Sequence, residues 1–509
     1  MSLATVYSRA RLGIQAPLIT IEVHLSNGLP SLSVVGLPES AVRESKDRVR
    51  SAIINSQFEF PARRITINLA PADLPKQGGQ FDLAIALGVL AASGQIPADK
   101  LKAHEFLGEL SLNGELRSTP GSLPAAIACG AAKRKLICCL ADACEASLSK
   151  MTVVLGSQSL LQTCAHLCGQ SQLTVTQAPS FSIVQQQHSL DLQDVKGQLQ
   201  AKRALEIAAA GQHHVLLFGP PGTGKSMLAA RLPSILPPLT QTEAIEVARV
   251  LSISNQKPLQ NYPARPFVAP HHTASAAALV GGGSQPKPGE VSIANHGILF
   301  LDELPEFQRQ VLEVLREPLE NGYIRISRAL AQVEFPAQFQ LIAAMNPCPC
   351  GYYGYDQQRS RNTQDTRCQC SAERIRRYRQ KVSGPLLDRI DLHIPVQALK
   401  QGELHAAPQG DSSQVIQQRV NFAREIQLER QGCSNALLSS RQIDLQCRPN
   451  LAQQKMLDNA MLQLGFSARA LHRILKVSRT IADLESSIDI SDAHLHEALA
   501  YRLLDRQPA

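Results

Sequence analysis

Three apolar runs in this chain end in side chains that can handle a triphosphate. The first, residues 214–218, leads into Gly219-Pro220-Pro221-Gly222-Thr223-Gly224-Lys225-Ser226. A strand, a glycine-rich loop and a helix in that order form a nucleoside triphosphate site. The glycines let backbone N–H groups close around the phosphates, a lysine reaches the β and γ oxygens, and a hydroxyl ligates Mg²⁺. Lys225 and Ser226 occupy the last two places. The second run, residues 297–301, ends in Asp302 and Glu303. A strand end beside the loop lets Asp302 hold Mg²⁺ through water, while Glu303 orients and deprotonates the attacking water. The third, residues 341–345, ends in Asn346, an amide suited to sensing the γ-phosphate or that water.

Two arginines are candidates for the charge on a transferred phosphoryl group. Arg389 lies in a polar turn, Leu387-Asp388-Arg389-Ile390-Asp391. Supplied by a neighbouring subunit, such an arginine is worth roughly 10³ to 10⁵ in rate in GTPases; the competing reading is a surface pair between Arg389 and Asp391. Arg469, in Ser467-Ala468-Arg469-Ala470, opens a helical stretch over 471–485 and is the second candidate.

In this order the elements resemble the AAA+ ATPases of the magnesium-chelatase-like group, and within it the ComM/YifB competence-related family. The resemblance runs over nearly the whole length. It rests on Val35-Gly36-Leu37-Pro38-Glu39, Pro75-Lys76-Gln77-Gly78-Gly79, Ala269-Pro270-His271-His272-Thr273, Leu279-Val280-Gly281-Gly282-Gly283, Leu301 to Phe307, Asn346-Pro347-Cys348-Pro349-Cys350-Gly351, Leu387 to Asp391 and Ser478 to Asp483. It implies that Lys225 and Ser226 belong to Walker A and Asp302 and Glu303 to Walker B. It further implies that Asn346 is sensor 1, Arg389 an arginine finger and Arg469 sensor 2. Family members are understood as hexameric rings. The expectation is therefore a homo-hexameric DNA helicase that drives branch migration in natural transformation, with recombination proteins as further partners. The same resemblance leaves open a magnesium-chelatase-like chaperone that remodels a protein, although no integrin-like domain or long acidic linker is evident.

Composition bounds this reading. With 509 residues the chain has room for two to four domains. No apolar run approaches the roughly 18 residues of a membrane span, so no membrane partner is expected. The first residues have neither a basic start nor an apolar signal core, which predicts a cytoplasmic protein. A net charge of +8 is modest for this size, so local placement of charge must decide on nucleic acid.

Twelve cysteines in such a chain are expected to be reduced unless they bind metal. Eight are scattered; Cys348, Cys350, Cys368 and Cys370 form two short-spaced pairs. Two knuckles can close a tetrahedral Zn²⁺ site, although Cys-x₂-Cys is the commoner spacing; reduced loop thiols and redox sensing are the alternatives. The enclosed residues 351–367 are polar and lack apolar periodicity, so a staple would give them structure. Arg359, Arg361 and Arg367 lie there, with Arg374, Arg376, Arg377, Arg379 and Lys381 just beyond, and such a basic insert can grip a phosphate backbone. A solvated cationic face is the alternative.

The interval between Lys225 and Asp302 holds Arg265 to Thr273 and the run 281–289, which together read as an insertion inside a helix. The resemblance implies that it projects into a ring pore. His271 and His272 lack a third ligand at suitable spacing, and packing or subunit contact is expected of them. Around Ala329-Leu330, the β-prone runs 323–328 and 331–335 predict a hairpin after the turn dipeptide Asn321-Gly322. By resemblance it precedes sensor 1, making Arg325 and Arg328 candidates for DNA or for a neighbour's nucleotide.

The expected fold class is α/β. Residues 1–170 are similar to the Lon-protease-like α+β domain of the ribosomal protein S5 fold, with strands near 18–24 and 64–69 and a helix at 81–92. The position matching the Lon serine holds Gln80, and 108–126 has no lysine for the dyad. An amide cannot serve as that nucleophile. Residues 171–190 read as a linker, 191–397 as the P-loop AAA+ core with the cysteine insert at 348–370, 398–413 as a connector and 414–509 as a C-terminal helical lid. The resemblance places the adenine side near Asp194 to Gln198. Arg469, Arg473 and Arg479 are expected to be part nucleotide sensor and part solvated face.

Overall fold

A computed structural model of the chain describes residues 3–35, 40–74, 76, 78–179, 190–254, 262–283, 286–328, 331–354, 368–398, 410–464 and 467–502. Its central unit is a parallel sheet of five strands: β1 (Val215–Phe218), β2 (Phe267–Val268), β3 (Ile298–Leu301), β4 (Gln340–Met345) and β5 (Leu392–Pro395), in the order β2-β3-β4-β1-β5. Both faces of a parallel sheet are covered, which is why its strands read as continuous apolar runs. Alternate residues enter opposite cores. Val215, Leu217, Ile298, Phe300, Ile342 and Ala344 join one core, and Leu216, Leu299, Leu301, Leu341 and Ala343 the other.

The register sets the site. Val215 lies opposite Ile342 and Phe218 opposite Met345, so β1 and β4 end level, and Gly219 N–H donates to the Met345 carbonyl at 3.2 Å. The phosphate loop and Asn346 therefore leave the sheet side by side, with β3 on the far side of β4.

The first core also takes in helix α1 (Leu199–Gly211) and the C-terminal helices, which include α4 (Ser413–Gln431) and α5 (Ala468–Leu484). A short helix at Ser440–Gln446, capped by Ser439, adds to those expected from the pattern. At the amino ends of the strands Asp391 is buried and fastens the helical unit: it accepts from Arg473 Nη1 at 2.5 Å and from the His214 N–H at 2.9 Å.

The N-terminal unit has a sheet in the order Leu3–Arg9, Leu18–Ser26, Arg64–Ala70, Ser31–Val35, antiparallel except for the last pair. Against it lies Asp82–Ala92, a helix buried along its whole length. Three parallel strands, His104–Leu107, Lys135–Cys139 and Val154–Ser157, form a second sheet. The unit extends past the boundary expected at 170, because Leu173 is buried and Thr176 N–H donates to the Val154 carbonyl at 2.9 Å. It sits on α3 (Gln241–Ile253): Arg249 donates to the Ile14 carbonyl at 3.1 Å, and Leu123 and Leu148 pack with Ala248. Among the described residues no helix is long and apolar enough to cross a membrane.

Candidate nucleotide site and cysteine cluster

The loop from Gly219 delivers Lys225 at the first turn of α2 (Lys225–Ala229). Gly224 begins that helix at φ +91°, a left-handed conformation that side-chain-bearing residues rarely adopt. Lys225 Nζ donates to the Gly219 carbonyl at 2.7 Å, the Pro220 carbonyl at 2.8 Å and Asn346 Oδ1 at 3.1 Å. Burial pushes its proton affinity down, and the carboxylates of Asp302 and Glu303 oppose that shift. Ser226 Oγ donates to Asp302 Oδ2 at 2.6 Å, which joins the hydroxyl and the carboxylate expected to share Mg²⁺. Thr223 Oγ1 donates to the Pro220 carbonyl at 2.9 Å and braces the loop. Five residues expected from three separate runs thus converge at one edge of the sheet: Lys225, Ser226, Asp302, Glu303 and Asn346.

Glu303 turns the chain at φ +51°, and its N–H donates to Asp302 Oδ1 at 2.9 Å. Its carboxylate lies 3.5 Å from His272 Nδ1. This partner was not foreseen from the sequence, where no spacing links a histidine thirty-odd positions upstream to a strand-end acid.

The two arginines lie elsewhere. Arg389 is buried, donates to the Pro385 carbonyl at 2.5 Å and pairs with Glu320. Glu320 is shared with Arg469, 3.8 Å away and exposed. The competing surface pair between Arg389 and Asp391 is absent among the described contacts, since Asp391 is buried and binds Arg473. Nor do Arg473 and Arg479 form a solvated face: Arg479 is buried against Asp483 at 3.1 Å. Asp391 and Leu392 donate their N–H groups to the His214 carbonyl, so Arg389 lies at the amino end of β5. The phosphate loop leaves the opposite end of β1, four residues and roughly 13 Å away along the strand.

Cys348, Cys350, Cys368 and Cys370 come together with their sulfurs within 4.8 Å of one another. Sulfur separations of 3.3, 3.6 and 3.8 Å lie at or just under the edge of about 3.8 Å that Zn–S bonds of about 2.3 Å give a tetrahedron. None of the four is in a disulfide. The donor set and spacing fit a structural metal, and among the described residues no other group of His, Cys, Asp or Glu does. The knuckle rests on the phosphate loop: a Cβ on Gly351 would meet Pro221 Cδ at 2.6 Å. Arg379 Nε donates to the Pro347 carbonyl at 3.2 Å from the far side.

The hairpin forms as expected, Tyr323–Arg328 pairing with Ala331–Pro336, and Asn321-Gly322 before it ends the preceding helix, with Gly322 at φ +73°. Arg325 pairs with Glu334 across the strands, 2.9 Å from its Nε, in an exposed contact. The Arg328 side chain and Arg359, Arg361 and Arg367 lie outside the described residues. The interval before β3 holds the inserted hairpin, Gly281–Gly282 paired with Lys287–Pro288, between the short helices Ala276–Val280 and Glu290–Ile293. In the N-terminal unit Gln80 is buried, its amide donating to the Arg9 carbonyl at 3.3 Å.

Residues 191–404 match the family described as magnesium chelatase, subunit ChlI; residues 21–142 and 410–502 match its further ChlI segments, the latter described as C-terminal. Along its full length the chain is 53% identical to the competence protein ComM of Haemophilus influenzae, covering 99% of this chain and 98% of that one. The chain belongs to the ComM/YifB family. Its kinship with YifB of Salmonella typhimurium is nearly as close, at 49% identity over 99% of this chain and 98% of the relative. A 38 kDa magnesium-chelatase subunit of Cereibacter sphaeroides is 28% identical over 173 residues, 30% of this chain and 51% of its own. The ComM/YifB family is thus a magnesium-chelatase-like AAA+ family, and the mixed α/β core with its parallel sheet agrees with that membership.

Proposed function

We propose that this ComM/YifB-family chain is an ATP-dependent DNA motor, a hexameric helicase that drives branch migration as incoming DNA recombines during natural transformation. The convergence of Lys225, Ser226, Asp302, Glu303 and Asn346 carries the ATPase part of the reading. The loop from Gly219 to Ser226 would hold the phosphates, with Ser226 and Asp302 holding Mg²⁺. Mg²⁺ held there would supply neutralisation of the phosphate charge. Lys225 exchanges carbonyl acceptors for phosphate oxygens, and Glu303 takes a proton from the attacking water. Asn346, held level with the loop by β4, orients that water or the γ-phosphate.

Arg389 cannot reach its own loop across the sheet, which supports a finger supplied in trans; Arg469 beside it at Glu320 joins the same face. A site completed by a neighbour implies a head-to-tail contact, and in this reading that contact closes into a ring. In this reading the four cysteines hold Zn²⁺ as a staple under the basic insert, the C-terminal helices act as a lid, and the N-terminal unit is an S5-like platform without a protease dyad. DNA is taken by the hairpin at Arg325 and Arg328 and by the cysteine insert. The name of the Haemophilus relative supports the competence setting.

Similarity to the chelatase subunit favours a second reading, a chaperone that remodels a protein partner. Purified protein with ATP and a labelled branched junction separates the two. Conversion to migrated products that requires Glu303 is expected; ATP hydrolysis without conversion would transfer the proposal to protein remodelling.

A further inference from the structure

Glu320 lies in the last turn of the short helix Arg316–Asn321, which ends just before the hairpin of Tyr323–Arg328. One of its oxygens, Oε1, faces two guanidinium groups: Arg389 Nη2 donates to it, and Arg469 Nη1 is 3.8 Å away. Among the described residues neither arginine pairs with any other acid. Two side chains brought in by separate elements thus meet at a single carboxylate oxygen.

Their surroundings differ. The Arg389 side chain is 5% exposed, Arg469 is 67% exposed and Glu320 45%. Arg389 also donates from Nη1 to the Pro385 carbonyl at 2.5 Å, while its buried Nε has no acceptor among the described residues. A buried donor left unpaired is costly, so the guanidinium is not fully satisfied within its own subunit. The balance of charge points the same way. Arg316 is taken by Glu313 at 2.9 Å and Arg473 by Asp391 at 2.5 Å, which leaves Arg389 and Arg469 to share one negative charge. Burial lowers the proton affinity of Arg389 and Glu320 opposes that shift, while Arg316, Arg469 and Arg473 add to it.

A carboxylate and a phosphoryl group offer an arginine the same kind of charge-assisted acceptor. We propose that Glu320 is a positioning residue that stands in for a phosphoryl oxygen: it holds Arg389 and Arg469 side by side in the free subunit, and the γ-phosphate of a neighbour's ATP displaces it. The phosphate carries more charge than the acid it replaces, and two guanidiniums already paired meet it together. A half-exposed carboxylate gives way at little cost. Until a loaded neighbour docks, the arginines stay on their own acid. The inference rests on the reading of Arg389 as a finger supplied in trans.

The experiment follows association of the full chain by light scattering, with and without a non-hydrolysable ATP analogue. A dilution series, with added salt where needed, carries the protein through the point at which assemblies separate. The parent is compared with Glu320→Gln, Glu320→Ser, Arg389→Ala and the double variant Glu320→Gln/Arg389→Ala, each checked for folding by circular dichroism. The glutamine keeps an acceptor for Arg389 without the charge, and the serine admits water to the guanidinium. In both charge-free variants the analogue is expected to assemble subunits at a roughly two- to fivefold lower concentration than in the parent, the range a partly exposed ion pair supports. Association without the analogue should stay unchanged, and the gain should vanish once Arg389 is alanine, because Glu320 then has no finger to withhold. An analogue effect unchanged or weakened in the folded charge-free variants overturns the proposal. So does a gain that persists beside Arg389→Ala, or a shift equal with and without the analogue, as a merely structural role of Glu320 would give. If the analogue acts alike on the parent and on Arg389→Ala, the trans reading itself falls and takes the proposal with it.

Discussion

Glu303 lies near enough to Lys225 for its carboxylate to oppose the burial-driven fall in that lysine's proton affinity. Glu303→Gln keeps the size of the side chain and removes its basicity. It should bind ATP as the parent does and lose roughly 10² to 10⁴ in kcat, the usual share of a general base; fluorescent-nucleotide titration beside phosphate release checks the split. Normal turnover would remove Glu303 from the mechanism. Asp391 is the residue whose loss should cost stability. Burial alone would raise its proton affinity, but Arg473, then His213 and His214, outweigh burial and hold it well below the usual carboxylate range. The contribution is therefore complete above the unfolded pKa of about 3.9 and disappears as pH falls below it. Asp391→Ala leaves Arg473 without its partner and should cost about 3–5 kcal/mol in denaturant unfolding at neutral pH, with the difference from the parent shrinking in acid.

The cysteine knuckle is an element whose effect should reach beyond itself. Asn346 stands two residues before Cys348, and Gly351 abuts Pro221 of the glycine-rich loop, so the knuckle fixes Asn346 and the loop together. Removing metal with a chelator, or Cys368→Ser, should release a stoichiometric Zn²⁺ ion detectable by a colorimetric indicator. It should also lower kcat severalfold through misplacement of Asn346, since small displacements of positioning groups are costly. Metal content near zero in the purified protein, with ATPase unaltered by the substitution, would reject both the ion and the coupling. Removal of Zn²⁺ should also weaken DNA binding if the insert grips the backbone; unchanged affinity would reject that part alone.

Across the whole molecule, Arg389 and the phosphate loop leave opposite ends of the sheet. Arg389→Ala should therefore retain ATP affinity and lose up to roughly 10³ in hydrolysis. Mixing it with Lys225→Ala subunits should restore part of the activity, because mixed rings contain interfaces with an intact loop on one side and an intact arginine on the other. Absence of any restoration, with rings shown by light scattering to exchange subunits, would place the arginine outside the active interface.

The sequence alone determined where the glycine-rich loop, the strand-end acids Asp302 and Glu303 and the amide of Asn346 leave the sheet. Each is local: an apolar run sets a strand, and the residue just after it must emerge at the strand's end. It also determined the cysteine quartet and the hairpin, whose members lie close in the chain or are marked by short repeated spacings. What it could not supply were pairings between distant segments. Glu320 with Arg389 and Arg469, Asp391 with Arg473, and Glu303 with His272 depend on how helices and loops cross the sheet. The competing Arg389–Asp391 pair does not form for that reason, since two side chains close in sequence are drawn apart by partners that only packing brings near. The end of the N-terminal unit was misplaced similarly: residues after 170 look polar and unpatterned, yet Thr176 bonds to the Val154 carbonyl and Leu173 enters the core. Local spacing encodes the chemistry of a strand end, whereas the partner that aims or restrains it is chosen by the tertiary fold.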